Sequence, residues 1–253
     1  MKHKIMNWLR SAKHRIAAAL VITFLTLFLL ACSPVAKSYT SHLPMTVIDW
    51  SQNNVMSVNA DNGSMGSGWW IDNDTFITAC HVVGIQLHSY DRPDPEGPMI
   101  LKLVDEIAEE AQVASHDMSV VLNLKVQSCN FDTDVAVLKR QWLASDSDYK
   151  AYNTSSAQSF IGENVYCTGY GLMLNLHTTT GHYQGPLTRK DSRGHDLVTC
   201  PTIFGDSGSP ALVLRSDGVH WVGIRIAVAN GMGTPISHLT IISTVDQVEA
   251  ELK

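Results

Sequence analysis

From about residue 52 onward, apolar residues come in short runs closed by Gly, Pro, Asn, Asp or Ser. Runs at 68–71, 75–79, 118–126, 135–138, 164–168, 197–199, 211–214 and 220–229 have strand length. They do not alternate with helical segments, so the pattern predicts an all-β sandwich or barrel rather than a parallel α/β sheet. Asn73-Asp74, between two runs, predicts a tight turn. Two segments depart from the pattern. Residues 92–98 form a Pro- and Gly-bearing loop, and 101–114 place Asp105, Glu106, Glu109 and Glu110 at helix-like spacing. Together they predict a surface insertion, partly helical. At the end, 244–253 predicts a helix with Thr244 as N-cap and Val245, Val248 and Leu252 on one face.

The first 31 residues stand apart. Lys2, Lys4, Arg10, Lys13 and Arg15 make a basic leader without an acidic residue, followed by an apolar run over 16–30. That run is short for a membrane span and suits a signal-peptide core. It closes on Leu29-Leu30-Ala31-Cys32-Ser33, which resembles the lipobox of bacterial lipoproteins, although Leu30 is less usual in its slot. The resemblance implies a signal peptide over 1–31 and an acylated Cys32 as the new N-terminus. An ordinary secretory signal and an uncut membrane anchor are the alternative readings. Residues 32–51, polar and bearing Pro34 and Pro44, predict a tether from the lipid to a domain over 52–253. The implied location is the cell envelope. Ser33 is not the aspartate that holds many Gram-negative lipoproteins at the inner membrane, so there the outer membrane or periplasmic side is implied.

Without the leader, 13 basic residues face 24 acidic ones, a net charge near −11. Such a surface argues against nucleic acid and against a polybasic lipid-binding face. Of the five cysteines, Cys80, Cys129, Cys167 and Cys200 remain beside Cys32, an even number that fits disulfides in an exported chain. Three pairings are open. None of the spacings is that of a zinc site, so no metal and no cofactor is expected.

The candidate chemistry lies in three patterns. These are Thr78-Ala79-Cys80-His81-Val82-Val83, Asp134-Val135-Ala136-Val137-Leu138 and Gly205-Asp206-Ser207-Gly208-Ser209-Pro210. A serine hydroxyl is a poor nucleophile until a base removes its proton, and an imidazole with a pKa near neutrality can do so. A carboxylate behind the imidazole fixes its tautomer and stabilises the imidazolium. Each pattern is weak alone. In the order His, Asp, Ser, each beside an apolar run, they are specific.

On these motifs the chain resembles the trypsin-like (chymotrypsin-fold) serine proteases over roughly 55–253. The spacings, 53 residues from His81 to Asp134 and 73 from there to Ser207, resemble the compact bacterial members, including the glutamyl endopeptidases. The resemblance implies two six-stranded antiparallel β-barrels, about 52–150 and 151–243, with the active site in the cleft between them. It implies Ser207 as nucleophile, His81 as general base and then acid, and Asp134 as the orienting carboxylate, with Asp132 the competing choice. The backbone amides of Gly205 and Ser207 would form the oxyanion hole. One disulfide in each barrel is expected, Cys80–Cys129 and Cys167–Cys200, although Cys80 also reads as an ordinary buried thiol. Protein or peptide substrates and a monomer are expected.

In digestive relatives the Asp before the serine pairs with a new N-terminus freed by cleavage. No basic residue followed by an Ile-Val-Gly-Gly-like start exists here, so Asp206 is expected to find another partner. The family's pocket positions imply a specificity pair, Thr202 and Arg225, able to hold a substrate carboxylate. The alternative pairs Arg225 with Asp206 and leaves the pocket small and apolar. Trp69 and Trp70 read as barrel packing, and His177, His182 and His195 as solvated residues in turns. An α/β-hydrolase esterase is excluded because that fold places Ser ahead of Asp and His. A catalytically silent binding lipoprotein is the rival that keeps the fold.

Overall fold

The computed structural model describes residues 43–91, 100–141, 149–152, 154–188, 193–231 and 234–253. The leader, Cys32, the tether up to residue 42 and the loop at 92–98 lie outside the described residues.

Fifteen strands are described, most of them in two barrels. The first barrel takes β1 (Val55–Ala60), β2 (Met65–Trp70), β3 (Thr75–Thr78), β6 (Glu110–Ala114), β7 (Val121–Asn130) and β8 (Val135–Arg140). They close in the order β1-β2-β3-β8-β7-β6, every pair antiparallel. The second barrel takes β10 (Asn164–Gly169), β11 (His177–Pro186), β12 (Asp196–Val198), β13 (Pro210–Arg215), β14 (Gly218–Gly231) and β15 (Thr234–Thr244). Its ring runs β13-β10-β11-β12-β15-β14 and closes through β13–β14, while β9 (Ser155–Ser156) adds parallel to β14. Closure leaves each barrel no long exposed edge. The all-β class and the C-terminal helix are as the sequence predicts, and the two barrels are as the resemblance implies.

Trp69 and Trp70 are fully buried, as packing requires. Trp70 meets Phe76 edge-on at 5.1 Å inside the first barrel, and Trp69 meets Trp221 of β14 at 6.1 Å. The second contact crosses from one barrel to the other, so burial of two large rings holds the barrels together.

Three expectations change. The segment at 101–114 is not helical: β5 (Ile100–Ile107) pairs with β4 (Gly84–Asp91) as a separate ribbon, and β6 joins the barrel. Ala111 and Val113 are buried between exposed Glu110 and Gln112, a period of two that outweighs the spacing of the acids. The tether does not extend to 51, because Met45–Asn54 forms a helix, α1. Its Val47 and Trp50, three residues apart, are buried in the core, and the Asn54 side chain donates to the carbonyls of Trp70 (3.2 Å) and Tyr152 (2.7 Å). The run placed at 118–126 starts as strand only at Val121. Asp117 accepts from the Ser115 and Ser119 hydroxyls, fixing a turn in which Met118 has φ 58°.

The C-terminal helix, α3 (Val245–Glu251), begins at Thr244, whose amide donates to Gln247 Oε1 at 2.8 Å. Val245 and Val248 are buried, whereas Leu252 lies past the helix and is 38% exposed.

Cys80 bonds Cys129 and Cys167 bonds Cys200, closing intervals of 49 and 33 residues, one in each barrel. Peptide mapping under non-reducing conditions is expected to recover these two cross-linked pairs. Replacing Cys167 and Cys200 together by Ala should cost about 2–4 kcal/mol in a denaturant titration. Four free thiols, or a pairing across the barrels, would contradict this connectivity.

Candidate active site

His81 lies on a one-turn helix, α2 (Cys80–Val83), directly after β3. The chain turns there because Ala79 leaves β3 in an extended conformation (ψ 144°) and the next residues are helical. The Cys80–Cys129 bond ties this turn to β7. Asp134 precedes β8 in the left-handed region, at φ 54°, which Asp tolerates better than most residues. Its two carboxylate oxygens divide their work. Oδ1 accepts the His81 backbone N–H at 2.9 Å, and Oδ2 lies 2.7 Å from His81 Nδ1. The Cys80 amide also donates to the Asp134 carbonyl, at 3.2 Å. An anionic Oδ2 needs a proton on Nδ1, which leaves Nε2 with a free lone pair. The Asp132 side chain is 88% exposed and faces Arg193 at 3.2 Å.

The Gly205–Pro210 segment turns through two left-handed glycines, Gly205 (φ 96°) and Gly208 (φ 87°). It is docked on β2 of the other barrel. The Ser67 amide donates to the Ser207 carbonyl at 2.8 Å, and the Ser67 hydroxyl donates to the Gly205 carbonyl at 2.7 Å. Thr78 Oγ1 holds the Ser67 carbonyl at 2.7 Å, and the Tyr170 amide donates to Ser67 Oγ at 2.9 Å. A Cβ on Gly208 would lie 2.2 Å from the Ser67 carbonyl oxygen and 2.8 Å from the Ala79 amide nitrogen, two residues before His81. The turn therefore presses on the strand that delivers His81. Ser207 stays half-exposed, and His81 is exposed. Among the described residues, the Gly205 and Ser207 amides donate to no other protein group.

Residues 66–224 match the family described as trypsin-like peptidase domain. The chain belongs to that family. The trypsin-like peptidase domain shares its fold with the active form of the Rv3671c protease from M. tuberculosis, at TM-score 0.59 and 17% identity, over 81% of this chain and 82% of that one. An inactive form of the Rv3671c protease gives 0.56 and 18%, over 81% and 90%. The HtrA-type protease AlgW with a tripeptide gives 0.58 and 15%, over 81% of this chain and 61% of that one. At these identities the likeness is one of fold. No curated protein sequence matches the chain.

In this trypsin-like domain Thr202 and Arg225 do not form a pocket for a carboxylate. Arg225 is fully buried and its Nη1 lies 3.3 Å from Asp206 Oδ2, so the alternative pairing is the one observed. Its charge is already matched by a buried acid, which leaves it unable to receive a substrate's. Thr202 is buried and bonds the Thr240 hydroxyl, which donates to the Cys200 carbonyl at 2.7 Å. His177 and His182 lie in β11 and not in turns, and two of the three histidines expected to be solvated are engaged. His177 Nε2 lies 3.4 Å from Asp206 Oδ1 while its Nδ1 accepts the Gly171 amide at 3.3 Å, and His195 is buried against Gln247 at 3.2 Å. Among the described residues, no group of three His, Cys, Asp or Glu side chains could hold a metal ion.

Ser67 is the site residue that sequence reasoning missed. Its signal was the small run Gly66-Ser67-Gly68, since a Cβ on Gly66 would meet Val82 at 2.6 Å and the Ser207 carbonyl oxygen at 2.8 Å.

Burial pushes the Asp206 carboxyl up, but His177, the Arg225 guanidinium and the Ile203 amide together hold it below its ordinary value of 3.8. A group depressed on folding stabilises the fold above its unfolded pKa and loses that contribution as pH falls through its folded pKa. Melting curves of the wild type should therefore fall steeply below about pH 4, and those of Asp206→Asn less steeply. Parallel acid limbs for the two proteins would contradict the ionised pairing.

Proposed function

We propose that the protein is an exported serine endopeptidase that cleaves peptide bonds through Ser207, His81 and Asp134. The observation that carries this reading is the divided Asp134 carboxylate. One oxygen accepts the His81 backbone N–H and the other lies against its Nδ1, which leaves Nε2 as the nitrogen free to act as base. Ser207 Oγ would attack the scissile carbonyl carbon as His81 Nε2 takes its proton. Asp134 stabilises the imidazolium that forms. The carbonyl oxygen becomes an oxyanion that the undonated Gly205 and Ser207 amides receive. His81 then gives its proton to the leaving amine, leaving Ser207 acylated. Water, activated by His81, releases the acid and restores the serine.

Ser207→Ala is expected to fold normally and to lose about 10⁶-fold in kcat on a peptide substrate. Asp134→Asn should lose about 10⁴-fold, because the neutral amide favours the wrong tautomer. Asp132→Asn should match the wild type. A dead Asp132→Asn beside a fully active Asp134→Asn would overturn the assignment.

The leader and the Ala31-Cys32 junction support export with a lipid on Cys32, and two disulfides suit an oxidising compartment. The protein would then act as a monomer tethered at the cell envelope, at the outer membrane or periplasmic side of a Gram-negative cell, with residues 32–44 as the spacer. Cys32→Ser should move the protein from the membrane fraction to the soluble one or leave it with its leader. A wild-type mature mass without acyl chains would refute the anchor.

A further inference from the structure

Asp206 stands between the two residues whose amides face the developing oxyanion, and its side chain has no exposure. A carboxylate there must either find a cation or leave the interior, and leaving would drag the turn with it. The cation it meets is fixed from several sides. Arg225 Nε donates to Ser209 Oγ at 2.6 Å, and Nη1 reaches the Pro201 carbonyl at 3.5 Å. The Arg225 backbone grips the same turn, its N–H donating to the Ser209 carbonyl and its carbonyl accepting from Gly208, both at 2.8 Å. The guanidinium fits because residue 169 is glycine: a Cβ there would lie 2.6 Å from Arg225 Nη2 and 2.9 Å from Asp206 Oδ1. Ser209 Oγ in turn donates to the Asp206 carbonyl at 2.5 Å, so one side chain bears on both the charge and the backbone of the turn.

We infer that Arg225 is a positioning residue: it is the built-in counter-ion that keeps Asp206 inside and thereby holds the Gly205 and Ser207 amides toward the oxyanion. The domain carries this cation on β14, so the turn needs no chain terminus freed by cleavage to complete it. The inference rests on the endopeptidase reading for its kinetic consequence, and on the geometry alone for the placement of the turn. Arg225 does not touch substrate. Its loss should therefore appear in the chemical step and not in substrate binding.

The test uses the full chain as wild type, Arg225→Met, Arg225→Lys and the double variant Asp206→Asn with Arg225→Met. Arg225→Met should lose about 100-fold or more in kcat, as removal of oxyanion donors does, with KM within about threefold. Its affinity for a peptide boronate, which places an oxygen in the same hole, should fall in parallel. Arg225→Lys should keep the charge but not the reach to both Ser209 and Asp206, and lose at least about tenfold. The double variant should recover part of the loss, since no buried charge is left unpaired. An Arg225→Met enzyme within twofold of wild type in kcat, a loss confined to KM, or a double variant no better than the single would each overturn the inference. Should Arg225→Met not fold, Arg225→Lys decides, and a native kcat in it overturns the inference. If the wild type neither hydrolyses peptides nor takes a fluorophosphonate on Ser207, the endopeptidase reading fails. Hydrogen exchange at the Gly208 amide in the Ser207→Ala background then decides the placement. Protection lost on adding Arg225→Met supports it, and equal protection overturns it.

Discussion

The contact on which the site depends is the docking of the Gly205–Pro210 turn of one barrel onto Ser67 of the other. His81 and Asp134 come from the first barrel, and Ser207 from the second. Nothing in the local sequence of either half sets the distance between them. The Ser67 amide and hydroxyl do, by holding the carbonyls of Ser207 and Gly205. Both are backbone acceptors, so the turn is fixed by its own main chain and the Ser207 side chain remains unencumbered. Gly66 and Gly208 permit the approach, and a side chain at either position would force the barrels apart. The Trp69–Trp221 contact supplies apolar burial across the same junction.

A second constraint is electrostatic. Asp206 and Arg225 are both without exposure, and a buried ion pair is a costly device whose attraction seldom exceeds the desolvation of its members. Replacing both with apolar residues of similar volume would be expected to leave stability little changed. Such a pair is better understood as specifying one conformation of the turn than as adding stability. His177 extends the arrangement toward solvent: with Nδ1 occupied by the Gly171 amide, its Nε2 carries the hydrogen that faces Asp206.

Much of this was legible in the sequence. The proposed triad residues and the short strands are read locally, because a histidine beside a strand end and a glycine-flanked serine stand out from a few neighbouring positions. The disulfide pairing followed once two barrels were implied. What misled were signals whose meaning depends on distant partners. The acids at 105–110 mimic a helix, yet the alternation of Ala111 and Val113 with Glu110 and Gln112 places that stretch in a barrel wall. Val47 and Trp50 sit in a stretch that reads as tether until the core that receives them is known. Arg225 left two readings open, a ligand for substrate or the partner of Asp206, 19 residues away, and only the β14 register decides between them. Ser67 carried almost no signal, since a serine between glycines is common in loops.

If the two barrels act as proposed, docking of the turn on β2 is what brings Ser207 to His81. Gly208→Ala disturbs that docking alone, because it leaves every proposed catalytic side chain in place while its Cβ would collide with the Ser67 carbonyl and Thr78 Oγ1. The quantity to measure is the second-order rate constant for modification of Ser207 by a fluorophosphonate, on proteins shown to be folded by circular dichroism. Wild-type Ser207 should be modified, and Gly208→Ala should react about 100-fold more slowly, the scale expected for a reacting atom displaced by about 1 Å. An equal rate in the two proteins would contradict that role for the docking.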